Sequence, residues 1–209
     1  GGEIEKIVNE GFAVLAPDLC GYGEIGPGDL HGDAFFKGVS HNMWYASMLV
    51  KQPIAGMLAE EIVELVTVAE DKLKVNDIAV LAKKELCPAV LHAAAFDKRI
   101  RQIVLSEPYS SYYSIVKNHI YDPVLVSSTV PGALKEYDLP DLASSLAPRR
   151  LVIEAATDGN SSQTDSEGIM SDLQIIINAY HLSNADKRLT VTGKENIEVI
   201  MRLLQDNPE

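Results

Sequence analysis

Strand-length runs rich in apolar residues recur along this chain, and segments of helical spacing separate them. The runs lie at residues 12–16, 78–82, 101–105 and 151–156, with a shorter one at 188–192. Phe12-Ala13-Val14-Leu15-Ala16 is continuously apolar, which suits a strand covered on both faces. Residues 57–72 give the clearest helical signal, with Leu58, Ile62, Leu65, Val66 and Val68-Ala69 recurring near the 3.6-residue period. Further helices are expected at 3–10 (stopped by Gly11), 43–49, 86–96, 109–120, 142–146, 169–180 and 194–204. A parallel strand pair needs a crossover connection, so strands alternating with helices predict an α/β fold. The expectation is a three-layer sandwich with a mainly parallel sheet of about five strands, with 78–82 at its centre. A chain of 209 residues holds one such domain, spanning 1–209.

Composition narrows the function classes. Hydrophobic residues at 46% and charged residues at 23% are ordinary for a soluble globular protein. A formal charge of −12 opposes binding to nucleic acid or to an anionic membrane surface. No stretch approaches the ~18–20 apolar residues of a transmembrane helix. The first residues lack the basic and apolar segments of a signal peptide, and the compartment stays open between periplasmic, secreted and cytoplasmic. Cys20 and Cys87 make no disulfide framework and no C-x-x-C pair. The histidines show neither i, i+4 spacing nor H-E-x-x-H, so no metal site and no cofactor is expected.

The stretch Asn76-Asp77-Ile78-Ala79-Val80-Leu81-Ala82-Lys83-Lys84-Glu85-Leu86-Cys87-Pro88 reads as a buried strand, a sharp turn and the start of an Ala-rich helix. Upstream, Pro17-Asp18-Leu19-Cys20-Gly21-Tyr22-Gly23-Glu24 contains a D-x-x-G-x-G turn directly after an apolar run. Asp97-Lys98-Arg99-Ile100 leaves the Ala-rich helix, and Leu139-Pro140-Asp141-Leu142 leads toward Arg150-Leu151. With these features in this order, the chain resembles the α/β-hydrolase family, in particular its acetyl-xylan-esterase-like and dienelactone-hydrolase-like branch. In order of elements the resemblance covers nearly the whole chain.

The resemblance implies a nucleophile on a G-x-S-x-G elbow between strand and helix. It places Ala82 at the first glycine and Lys84 at the nucleophile, with Leu86 and Cys87 where small residues follow. Their bulk predicts a relaxed turn. Asp158 falls where the family keeps its triad acid. The loop that would hold the triad histidine reads Thr192-Gly193-Lys194-Glu195-Asn196, and no histidine lies beyond His181. A Ser-His-Asp relay needs an imidazole to take the nucleophile's proton, so that mechanism is not expected. The family's first three strands correspond to sequence ahead of residue 1. The chain is therefore expected to be a C-terminal portion of a longer protein, or else a compact sheet in which 12–16 and 78–82 are direct neighbours.

Each candidate site residue has a plainer reading beside the chemical one. Lys84 is an activated amine if desolvated, and otherwise part of a solvated Lys-Lys-Glu turn. Cys87 at a helix start is a low-pKa thiol or a buried structural cysteine. Ser106, directly after a strand, is a nucleophile or a turn residue. Asp158, followed by Gly159-Asn160, is a triad relic or a turn signal. His31 and His41 fall in a polar loop from which they could approach a pocket, and His92 falls within a helix. Tyr109, Tyr112, Tyr113 and Tyr121 with Trp44-Tyr45 line a sugar-binding groove or serve packing. Asn160-Ser161-Ser162 fits a glycosylation sequon.

The expected function is a catalytically degenerate hydrolase-like domain. Its role would be structural or interactive, beside a catalytic esterase domain of the same polypeptide or within a homo-oligomer. The alternative is a carboxylic-ester hydrolase that deacetylates polysaccharide with a rearranged nucleophile.

Overall fold

A computed structural model of the protein describes residues 2–26, 35–36 and 39–205. Helix α1 (Glu3–Asn9) ends at Gly11, whose φ of 91° reverses the chain as a helix stop requires. The turn at 18–23 depends on glycine in the same way. Gly23 has φ 60°, and a β-carbon there would sit 1.8 Å from an Asp18 carboxylate oxygen. The Cys20 N–H donates to Glu61 at 2.9 Å, which ties this turn to the long helix that follows. A short antiparallel ribbon, β1 (Phe35–Phe36) and β2 (Val39–Ser40), leads into α2 (His41–Leu49). His31 lies outside the described residues.

Helix α3 (Ile54–Leu73) buries Ile54, Leu58, Ile62 and Val66, the stripe that its periodicity predicts. Next come β3 (Ile78–Lys83), α4 (Cys87–Phe96), β4 (Ile100–Ser106), α5 (Tyr112–Lys117), α6 (Leu139–Ser145), β5 (Arg150–Glu154), α7 (Ser166–Leu182), β6 (Leu189–Thr192) and α8 (Ile197–Gln205). The fold is α/β. Strands β3 to β6 form a parallel sheet in sequential order, each joined to the next by a helical crossover.

The two faces of this sheet are covered unequally. Val80, Ile103 and Leu151 stand in register on one face, in a core shared with α3, α4, α6 and α7. Helix α4 is buried from Cys87 through Ala94, and its run of alanines lets it lie close against the strands. On the other face Val104 and Val152 pack under Ile200, Met201 and Leu204 of α8, with Ile7 and Phe12 at the margin. Leu81 is the register neighbour of Val104 on that face, yet it is 44% exposed. The cover of α8 and α1 stops short of β3.

Two expectations are corrected. Residues 12–16 form no strand: Phe12 gives its N–H to Ile7 and packs against the cluster under α8, and residues 13–16 are exposed. An apolar run becomes a strand only where a neighbour offers a ladder, and here the chain folds back onto α1 instead. Consequently the described parallel sheet has four strands rather than five, and β3 is its edge rather than its centre. No helix among the described residues is long and apolar enough to cross a membrane.

Candidate functional site at the carboxyl ends of the strands

In parallel sheets, chemistry gathers where the strands end. Here three adjacent strands end in the same unusual way. The residue just beyond β3 (Lys84, φ 55°), β4 (Glu107, φ 49°) and β5 (Ala155, φ 51°) adopts the left-handed conformation, and none of the three is glycine. Such a residue costs about 1–2 kcal/mol of backbone strain. It turns the chain sharply out of the sheet and presents its side chain at the sheet's rim. The turn at Lys84 is therefore tight, contrary to the relaxed turn expected from Leu86 and Cys87. Their bulk is absorbed inward: the Cys87 thiol is buried and approaches the carbonyl oxygens of Ala82 (3.5 Å) and Ser106 (3.6 Å).

The charges at this rim bind one another. Lys83 Nζ lies 2.7 Å from Glu195 Oε1 and 2.9 Å from Glu107 Oε1, and Lys84 Nζ lies 3.5 Å from Glu107 Oε2. Ser106 Oγ donates to Glu195 Oε1 at 2.5 Å. Behind them Glu154 is 1% exposed and accepts the Asn196 N–H at 3.0 Å, which holds the loop between β6 and α8. Hydrogen bonds from Lys83 and then Ser106 hold the Glu195 carboxyl down to about 2. The same carboxylates, Glu195 foremost and then Glu107, hold the Lys83 ammonium above the usual lysine range. Burial is the largest influence on Glu154, and it pushes that carboxyl upward.

These states bear on what the cluster can do. A carboxylate held near 2 is a feeble base at neutral pH, and a lysine held protonated is neither base nor nucleophile. Ser106 thus has an acceptor for its proton but no effective one. Lys84 is more than half exposed and paired with Glu107, which is the solvated-turn arrangement. Burial, as the largest cause, pushes the Cys87 thiol far above its usual range, opposite to the activation that a helix start can give.

Asp158 is buried and caps its own turn, accepting from the N–H groups of Asn160 (2.8 Å) and Ser162 (3.0 Å). Gly159 allows that turn to press against the backbone of Ser114 and Ile115. His41 opens α2. His92 is buried, with Nδ1 2.6 Å from the Pro88 carbonyl and Nε2 2.8 Å from the Tyr137 hydroxyl, and burial lowers its pKa.

The tyrosines divide rather than line one groove. Tyr109 and Tyr112 are buried, whereas Tyr113 and Tyr121 are exposed. Trp44 packs on the core beside exposed Tyr45. Helices α6 and α7 help enclose a cavity of about 20 Å³ against Leu105 and Ile153, room for about one water molecule. Among the described residues, no three His, Cys, Asp or Glu side chains come together in a way that could hold a metal ion.

Of Lys84, Ser106, Cys87 and Asp158, the structure brings the first two into one ion-pair network and leaves Cys87 and Asp158 in structural roles. Reasoning from sequence missed Lys83, Glu107, Glu154 and Glu195. A signal for them existed, since Lys83 and Glu107 closely follow apolar strand runs, Glu154 interrupts one, and Glu195 stands in the loop after the last. No protein-family model matches this chain, and no curated protein matches it.

Proposed function

We propose that this chain is a catalytically silent α/β-hydrolase-like domain with a structural or interaction role beside a catalytic esterase domain. The observation that carries the reading is the ion-pair network at the strand ends. The position that the resemblance assigns to a nucleophile holds Lys84 on a tight left-handed turn, paired with Glu107. The loop that would supply the triad histidine supplies Glu195, which is bound to Lys83 and Ser106. An elbow-like turn thus carries opposed charges that neutralise one another, and each holds the other in the protonation state least useful for acyl transfer.

The competing reading is a carboxylic-ester hydrolase with a rearranged nucleophile, and the short Ser106–Glu195 hydrogen bond favours it. Against it stands the depressed basicity of Glu195. Incubation with an aryl acetate, and separately with serine-reactive and thiol-reactive probes mapped by mass spectrometry, tests the two. The silent-domain reading expects background turnover and no label on Ser106 or Cys87. Turnover abolished by Ser106→Ala or Cys87→Ala, but retained in the surface control Lys187→Ala, would overturn it.

A further inference from the structure

The outer edge of β3 is built against the usual rules for an exposed edge. Among the described residues no strand pairs with it. From Ile78 through Ala82 it carries no charge and no proline, the devices that ordinarily keep a sheet edge from recruiting another chain. Ala79 and Leu81 face solvent on the side that α8 and α1 leave uncovered. The charges sit only at the two ends: exposed Asp77 before the strand and Lys83 at its close.

We propose that β3 pairs antiparallel with β3 of a second copy of this chain, across a two-fold axis at Val80, joining the two sheets into one. In that register Ile78 stands opposite Ala82 of the partner subunit, and Ala79 opposite Leu81 of the partner subunit. Asp77 stands opposite Lys83 of the partner subunit. Directly opposed residues lie on the same face, so the solvent-facing apolar pair of each copy covers that of the other, with an opposite-charge pair closing each end. A shift by one residue in one direction puts Ile78 across from Lys83 of the partner subunit. A shift in the other puts Asp77 across from Ala82 of the partner subunit. The first shift also sets Asp77 across from Lys84 of the partner subunit, but that residue has already turned out of the strand at φ 55°, so of these registers the one at Val80 alone closes the strand ends with opposite charges. An ammonium has three donors, and Glu107 and Glu195 occupy two of those on Lys83, which leaves one for Asp77 of the partner subunit.

A single strand edge is a modest interface, below the roughly 1,000 Å² of a stable complex, so the dimer forms and dissociates with concentration. The pairing does not depend on whether the strand ends are silent, because an oligomeric state reports no catalysis.

Sedimentation of the full chain over a concentration series should show a mass rising toward twice that of the protomer. Leu81→Lys and Asp77→Lys, both at exposed positions, should stay monomeric at the same concentrations with an unchanged circular-dichroism spectrum. Val80→Cys in a Cys20→Ala background places two thiols across the axis, within the ~4.4–6.8 Å Cα separation of a disulfide. Mild oxidation should link them into a covalent dimer. A chain that remains monomeric at every concentration would overturn the proposal. So would a dimer that survives both lysine substitutions, or a Val80→Cys variant whose introduced thiol stays reduced under that oxidation.

Discussion

Lys84 occupies a backbone conformation that its β-carbon disfavours, with φ 55°, and its ion pair with Glu107 is half-exposed at 3.5 Å. Such a pair contributes well under ~1 kcal/mol. Relief of the left-handed strain is worth about 1–2 kcal/mol, and the added freedom of glycine in the unfolded chain offsets about 0.5–1 kcal/mol of that. Lys84→Gly is therefore expected to be more stable than the parent by about 0.5–1 kcal/mol in urea unfolding. Lys84→Val, β-branched at the same φ, should be less stable by about 1–2 kcal/mol. A valine variant as stable as the glycine one would mean that the turn is not left-handed in solution. Lys84→Ser tests the chemical side of the same residue. It installs a hydroxyl on the elbow while the carboxylate base of this rim, Glu195, stays weak, so aryl acetate turnover should stay at background.

Among the elements, α5 and α6 meet at one carboxylate. Asp138 accepts the N–H groups of Tyr112 (2.6 Å), Tyr113 (3.1 Å) and Leu139 (2.6 Å), and Asp141 in turn accepts the Asp138 N–H at 2.8 Å. The cap of α6 thus also serves the first N–H groups of α5, whose own cap, Ser111, accepts the Ser114 N–H. Asp138→Ala is expected to cost about 2–3 kcal/mol by urea unfolding, above a single cap, because it strands donors on both helices. Asp138→Asn should cost less, and equal losses would show that the shared acceptor is not what matters. Sequence legibility divides along this same line between local and non-local causes. Helix α3 is readable because its apolar stripe is a local pattern, and it spans Ile54–Leu73 against an expected 57–72. Residues 12–16 mislead because strand formation requires a partner that a linear pattern does not show. The tightness of the Lys84 turn is hidden for a third reason. Leu86 and Cys87 read as obstacles, whereas the cysteine's sulfur turns inward between the ends of β3 and β4. Lys84 and Ser106 can be picked out one at a time, but their joining through Glu107, Lys83 and Glu195 is a product of the fold.

At the scale of the whole molecule, that network joins the ends of the sheet. Lys83 ends β3, Ser106 ends β4, Glu154 ends β5, and Glu195 stands in the loop after β6. Two of its carboxyls, Glu195 and Glu154, respond to acid with opposite signs. Glu195 is held down to about 2 in the folded chain, against about 4.3 for an unperturbed glutamate. Its contribution to stability is therefore complete above the unfolded value and is lost as pH falls from about 4.3 through about 2. Glu154 is displaced upward, chiefly by burial. Its contribution is present below the unfolded value and is lost as pH rises through the folded one, so at neutral pH the buried charge weakens the fold. Glu195→Gln should accordingly melt below the parent at pH 7, with the gap closing as pH approaches about 2. Solvent screening at this partly exposed side chain limits that gap to about 1 kcal/mol or less. Glu154→Gln should melt above the parent at pH 7 and converge with it below about pH 4, since the neutral amide can still accept the Asn196 N–H. Thermal unfolding of the three proteins from about pH 2 to 7 decides the matter: gaps of the same sign at pH 7 would mean that the two carboxylates do not hold opposite places in the network.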